Sequence, residues 1–346
     1  MDIRSFANDE LTYEKKHELN IGIDLGFFNN RINVAFDWYR RNNYDLIGPK
    51  TTTGVGGSIM KYANVASMKS NGEELSISTR NIVKKDFSWT TDFIFSHTTS
   101  EVTDLDAQSR IINMISGAGF TKKGYPYRAL FSINFQGLNN RGLPTFINEN
   151  GEKTVSNHFF QSYDLSHLVY EGPTDPTITG SFGNIFKYKN LSLNVFITYS
   201  GGNVVRLDPT FASAYSDLSA MPREFINRWT KPGDEAFTNI PAIADLRQIQ
   251  SDTRLAYAYN AYNYSTARTA SGDFIRMKEI SVGYEFPASL VRHLGINSLG
   301  MKLQGTNLFL IYSDKKLNGQ DPEFFNSGGV AVPMARQFTF TLRVGI

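Results

Sequence analysis

Apolar and polar residues alternate along this chain for nine or ten positions at a time, and they do so repeatedly. In ELNIGIDLGF (18–27), Leu19, Ile21, Ile23, Leu25 and Phe27 share one face, opposite Glu18, Asn20, Gly22, Asp24 and Gly26. After Asn29 and Asn30 the pattern resumes, with Ile32, Val34, Phe36 and Trp38 set against Arg31, Asn33, Ala35, Asp37 and Tyr39. Related runs centre on Phe93, Phe131, Val195 and Val282, and the chain ends Phe338, Phe340, Leu342, Val344, Ile346. A period of two is a β-strand signature. Strands of soluble domains average about 5–6 residues, whereas about 9–11 residues are needed to cross a bilayer at a tilt. The polar face carries small hydrophilic residues suited to a wet lumen, and Tyr, Trp and Phe gather at the ends of runs. The pattern therefore reads as an antiparallel, all-β transmembrane barrel wall; a soluble β-sandwich also alternates and stays open on this ground alone.

Ten strand candidates follow: 17–28, 31–47, 72–82, 86–100, 128–137, 181–188, 191–205, 274–286, 299–310 and 336–346. Asn29–Asn30, Lys84–Lys85 and Lys189–Asn190 read as tight turns. The long connections 48–71, 101–127, 138–180, 206–273 and 311–335 would be suspect in a compact soluble domain but suit the outer side of a bacterial barrel. If the tight turns share one side, the periplasmic one, an even number of crossings must lie between 86–100 and 181–188, and only 128–137 is in evidence; either it does not span, or a partner crossing lies within 154–170. One helix is expected near 216–229, capped by Ser216 and weakened by Pro222. Leu19, Ile21, Ile23, Ile32, Val34 and Phe36 are assigned to lipid, and Asn20, Asp24, Asn33 and Asp37 to the lumen.

Composition removes other classes. There is no cysteine, hence no disulfide framework, thiolate metal site or Cys nucleophile. A net charge of +2 gives no electrostatic case for nucleic-acid binding. No apolar run reaches the ~18 residues of a membrane helix, and the first residues lack the apolar stretch of a signal peptide. Aromatic residues are abundant, with 26 Phe, 17 Tyr and 3 Trp.

Seven phrases stand in a fixed order: FFNNRINVAFDWYRRNNYDLI (27–47), NVASMKSNGEELSISTRNI with DFSW (64–89), WTKPGDE (229–235), GDFIRMKEISVGYEFP (272–287), LQGTNLFLI (303–311), GQDPE (319–323) and the RQFTFTLRVGI terminus. In this order and spacing they resemble the SusC/RagA family of TonB-dependent outer-membrane transporters. Ala66 stands where Gly is usual, residues 70–74 keep only part of a Lys-Gly-Val-Glu phrase, and Ile346 ends the chain where an aromatic is commoner. The resemblance spans about 12–346. It implies about 10 strands of a 22-stranded barrel, so that 1–346 is the C-terminal part, open and incomplete as given, without the plug domain and N-terminal strands. It further implies the outer membrane of Gram-negative, Bacteroidetes-type cells and import of a large nutrient, an oligosaccharide or a peptide. A SusD-like surface lipoprotein and TonB (through the missing N-terminal region) would be partners, and no catalytic residue, cofactor or metal is expected. The runner-up reading is a soluble β-rich carbohydrate-binding protein; a third is a small closed barrel acting as a passive pore.

Candidate site chemistry is sparse. His17, His97, His158, His167 and His293 are scattered, and TGVGG (53–57) lacks the Lys-Ser/Thr of a phosphate loop. Asp104 with Asp106, and Asp321 with Glu323, are carboxylate pairs that could serve Ca²⁺ but lack the spacing of a calcium loop. In RLAYAYNAYNYSTAR (254–268), Tyr257, Tyr259, Tyr262 and Tyr264 offer flat apolar faces with a polar handle, suited to stacking on substrate. The alternative for them is packing within the loop.

Overall fold

A computed structural model describes residues 10–52, 60–155, 159–209, 223–244, 246–324 and 334–346. TGVGG (53–57), His158 and the 216–222 half of the expected helix lie outside the described residues. Within 223–229, Arg223–Asn227 forms a 3₁₀ turn rather than an α-helix.

Nine strands make one antiparallel sheet in which sequence order is spatial order. They are β1 (Lys15–Phe27), β2 (Ile32–Thr51), β3 (Met60–Val83), β4 (Phe87–Leu105), β5 (Ile178–Tyr188), β6 (Leu191–Gly201), β7 (Phe274–Glu285), β8 (Ser298–Ser313) and β9 (Gln337–Gly345). β1 and β9 each have a strand neighbour on one side only among the described residues, so the sheet is open. The expected turns are present. Phe28, Asn29 and Asn30 all take left-handed backbone angles (φ 54°, 55°, 58°), as does Lys189 (φ 51°); asparagine tolerates that region better than most residues.

Cross-strand pairing keeps like with like. Ile23 faces Phe36, Phe36 faces Leu75, and Leu75 faces Phe95. On the other half of the sheet, Leu193, Val282, Leu303 and Phe340 form a similar row. The next rows are hydrophilic: Gly22, Asp37, Glu74 and Ser96 in the first half, Asn194, Ser281, Gln304 and Thr339 in the second. Directly paired residues share a face, so the assignments made for β1 and β2 agree with the register. The apolar face is not covered by a second sheet: Leu303 is 59% and Phe338 73% exposed. That excludes a sandwich, whose apolar faces would be buried against each other.

Residues 128–137, expected as a tenth crossing, are not in the sheet. Ala129–Ile133 pairs with Leu168–Pro173, and Phe135–Leu138 with Pro144–Ile147, in two small separate sheets. All five residues of Ala129–Ile133 are buried, so neither face meets lipid or a wet lumen. With this segment removed, β4 pairs directly with β5 and the parity of the crossings is even.

β3 runs for 24 residues, not the 11 expected. At about 3.4 Å per residue this is ~80 Å, well beyond the ~30 Å hydrocarbon layer. The outer parts of β2, β3 and β4 thus project past the bilayer at the end that carries the long connections. The connections 106–177 and 202–273 fold over this end and hold the main core of the molecule.

Candidate functional site at the long-loop end

On the hydrophilic face of β1–β4, Tyr39 lies across Gly72, where a Cβ would overlap its ring. Its hydroxyl shares a 2.8 Å hydrogen bond with Thr98. The Arg41 guanidinium stacks over the same ring at 4.1 Å and donates to Glu18 at 2.9 Å. This row braces four strands across the wall. Farther along, Arg276 on β7 is buried and is clamped by Asp321 and, at 3.3 Å, by Glu323. The carboxylates of GQDPE therefore tie the β8–β9 connection to the wall, and a guanidinium occupies the place considered for Ca²⁺. Asp104 pairs with Lys123 at 3.0 Å, and Asp106 with Lys50. No cluster of three His, Cys, Asp or Glu side chains suited to a metal occurs among the described residues.

The two long connections are one folded body. Ile111, Ile115, Ile133, Leu143 and Phe146 from the first pack with Phe225, Leu255, Tyr259 and Tyr262 from the second. A buried arginine joins them. Arg206 donates to the carbonyls of Ser265 (2.8 Å) and Phe131 (2.7 Å) and to the Ser132 hydroxyl (3.0 Å). Burial pulls its guanidinium down to about 10, and a lesser attraction to Glu171 opposes the shift. It stays charged at neutral pH. Arg268 donates to Glu224 at 2.7 Å and to the Asp208 carbonyl at 2.8 Å.

Between the connections lies a cavity of about 710 Å³, lined by Arg141, Arg228, Trp229, Gln248 and Tyr259 among others. The size and the mix of aromatic and hydrogen-bonding groups fit a ligand pocket. Trp229 is fixed in it: its indole N–H donates to Glu235 at 2.8 Å, and its ring covers Gly142, whose φ is +71°. The motif WTKPGDE closes on itself, with Asp234 accepting from the Thr230 amide and hydroxyl and from the Lys231 amide. Those bonds, led by the Thr230 hydroxyl, hold the Asp234 carboxyl below its ordinary range.

The four tyrosines do not form one surface. Arg254–Asn263 is an α-helix rather than an open loop. Tyr259 and Tyr262 point into the core. Tyr259 donates to the Ala242 carbonyl at 2.8 Å, and burial pushes the Tyr262 phenol up to about 12. Tyr264 sets its ring edge-on to Phe160 at 5.7 Å. Tyr257 alone of the four is well exposed, at 66%. The described histidines stay apart: His17 packs edge-on to Tyr44, His97 sits 4.0 Å from Glu73, and His293 Nδ1 lies 2.7 Å from the Ser289 carbonyl.

Three comparisons bear on this architecture. No family model matches the chain. TonB-dependent receptor P3 of Formosa agariphila is 25% identical over 344 residues, covering 93% of this chain and 32% of the relative. TonB-dependent receptor SusC of Bacteroides thetaiotaomicron is 26% identical over 359 residues, covering 98% and 32%. Over nearly its whole length the chain is similar to TonB-dependent outer-membrane receptors of the SusC type. It spans about a third of the length of the relatives it matches. The fold agrees: the RagAB peptide transporter superposes with a TM-score of 0.75 over 99% of this chain and 36% of that one, at 22% identity. Its importer in the open-open state gives 0.73. For a SusC/RagA-type wall, the uncovered apolar face is the lipid face and the hydrophilic face lines the lumen. The short turns then mark the periplasmic rim and the long-loop body the cell surface.

Proposed function

We propose that the chain is the C-terminal part of the barrel of a TonB-driven importer for a large nutrient, an oligosaccharide or a peptide. Energy would come through TonB acting on a region outside this chain, and a SusD-like lipoprotein would seat on the cell-surface loops. The observation that carries this reading is the folded body made by 106–177 and 202–273. It stands at the outer end of a lipid-facing wall and holds a cavity of about 710 Å³ with Arg141, Arg228 and Trp229 in its lining. Arginines beside an indole suit the hydroxyls of a sugar and the carbonyls or carboxylates of a peptide equally. Tyr257, exposed on the helix of the same body, is the remaining candidate among the four tyrosines for direct contact with substrate or lipoprotein.

The test is uptake of labelled oligosaccharides and of labelled peptides by cells that carry the gene, cells lacking it, and cells lacking TonB. Uptake of one class should require both genes. It should fall several-fold in a Trp229→Ala variant that still shows heat-modifiable migration on a gel. Uptake of every probe at wild-type rates without the gene would refute the proposal.

A further inference from the structure

The periplasmic rim carries a cluster of lysines that form no ion pair among the described residues. The β3–β4 turn contributes Lys84 and Lys85, and the neighbouring β5–β6 turn contributes Lys189, with Lys187 two residues before it near the end of β5. The two turns are bonded into one ledge: the Lys84 amide donates to the Phe87 carbonyl and the Lys189 amide to the Asp86 carbonyl, both at 2.8 Å. All four lysines are exposed. Two acids adjoin the four lysines without pairing with them: Asp86 in the β3–β4 turn, and Glu285 at the end of β7, whose amide donates to the Asn190 carbonyl at 2.9 Å. The adjacent end of β3 and the β1–β2 turn add Arg80 and Arg31.

Directly above the ledge, on the lipid face, lies a group of aromatic rings. Trp89 and Phe186 stack at 5.6 Å, and they share a face with Phe87 and Tyr188 through the β4–β5 register. The Trp89 indole N–H is already used, donating to Asn184 at 2.9 Å, so its ring is fixed and turned to lipid. Lys189 holds its ammonium 5.5 Å from the centre of the Tyr188 ring. Rings at the acyl boundary with ammonium groups just beyond them match the depth profile of a phospholipid, whose chains end where its phosphate begins. Neutral headgroups bring their own cation to the surface; an anionic headgroup leaves its phosphate for the lysines.

We propose that this ledge is a binding site for an anionic phospholipid headgroup of the inner leaflet. Lys84, Lys85 and Lys189 would hold the phosphate, and the rings of Trp89, Phe186 and Tyr188 would hold the start of the acyl chains. The inference rests on the outer-membrane placement of the wall and is independent of what the transporter imports.

The experiment titrates phosphatidylglycerol, phosphatidylcholine and inorganic phosphate onto the detergent-extracted transporter that carries this chain, with bound lipid counted by native mass spectrometry. The site predicts preferential retention of phosphatidylglycerol. The triple variant K84Q/K85Q/K189Q should lose roughly tenfold or more of that affinity, whereas K153Q/K231Q/K315Q at the opposite end should keep it. Heat-modifiable migration of both variants shows that the barrel is intact. Equal retention of the two lipids, an unchanged triple variant, or inorganic phosphate competing as well as the lipid would each overturn the assignment.

Discussion

At the residue scale, the buried arginines matter most. Arg276 is 6% and its partner Asp321 9% exposed at the side chain, so Asp321 depends on Arg276 for neutralisation, while the arginine has the more exposed Glu323 as a second partner. Breaking a buried pair on one side costs about 3–5 kcal/mol because the other charge is stranded. Arg276→Met should therefore lower the unfolding temperature of the assembled transporter, and R276M/D321N should recover part of the loss, as a double-mutant cycle requires. Additive losses would show that the clamp is not a unit. Tyr262 gives a pH signature. Its folded value, about 12, lies above the free phenol value of 10.0, so its contribution to stability is intact below pH 10. That contribution is lost as the pH climbs from about 10 to about 12, where the unfolded chain ionises first. A near-ultraviolet titration should show a late-ionising phenol that Tyr262→Phe removes; identical curves for the two proteins would contradict it. None of this was legible in the sequence. Arg206 and Arg276 sit in VVRL and FIRMK, where one basic residue among apolar neighbours gives no sign of which distant carbonyl or carboxylate it will meet.

Among elements, the strands that face lipid were readable because water, lipid and a pleated backbone together leave one arrangement. The register of Ile23 with Phe36 and of Leu303 with Phe340 follows from alternation alone. Two elements were not readable, for a shared reason. Ala129–Ile133 alternates like a crossing, but Leu130 on its supposed polar face belongs to a strand buried on both sides, and periodicity cannot separate the two cases. In 254–263 the tyrosines drew attention, while the stronger signal was Leu255, Tyr259 and Tyr262 at i, i+4 and i+7, the stripe of a buried helix face. That helix packs against the other connection, which yields a prediction. Phe146→Ala in the first connection removes a fully buried ring and should cost about 3–5 kcal/mol. Limited proteolysis of the assembled transporter should then gain cuts in 202–273 as well as in 106–177. Cuts confined to 106–177 would mean that the two connections fold separately.

On the scale of the whole molecule, the nine-stranded sheet ends in β1 and β9, each with a strand neighbour on one side only among the described residues. Unpaired backbone groups are not tolerated in hydrocarbon, and an exposed edge recruits other strands. The 346-residue chain reconstituted by itself in planar bilayers should give no stable unitary conductance and should aggregate; reproducible channels would show that β1 and β9 can close on each other. The outer-membrane placement, the two-face pattern of β1 and β2 and the gathering of the long connections at one end were all within reach of the sequence. The cavity beside Trp229 was not, since it is bounded by residues nearly a hundred positions apart whose meeting depends on the joint core.

That joint core also limits how such a transporter changes over generations. Ile133, Phe146, Leu255 and Tyr262 belong to one packed cluster although the membrane hairpin β5–β6 separates their coding positions. A recombination event that exchanged 106–177 for a relative's version while keeping 202–273 would place mismatched side chains in contact and leave Arg206 without the carbonyl of Phe131. New surface loops in this lineage are thus expected to arrive by exchange of the whole block from β4 to β7, or by slow paired substitution. Phylogenies built separately from the two connections should agree with each other more closely than either agrees with a tree built from β1 and β2.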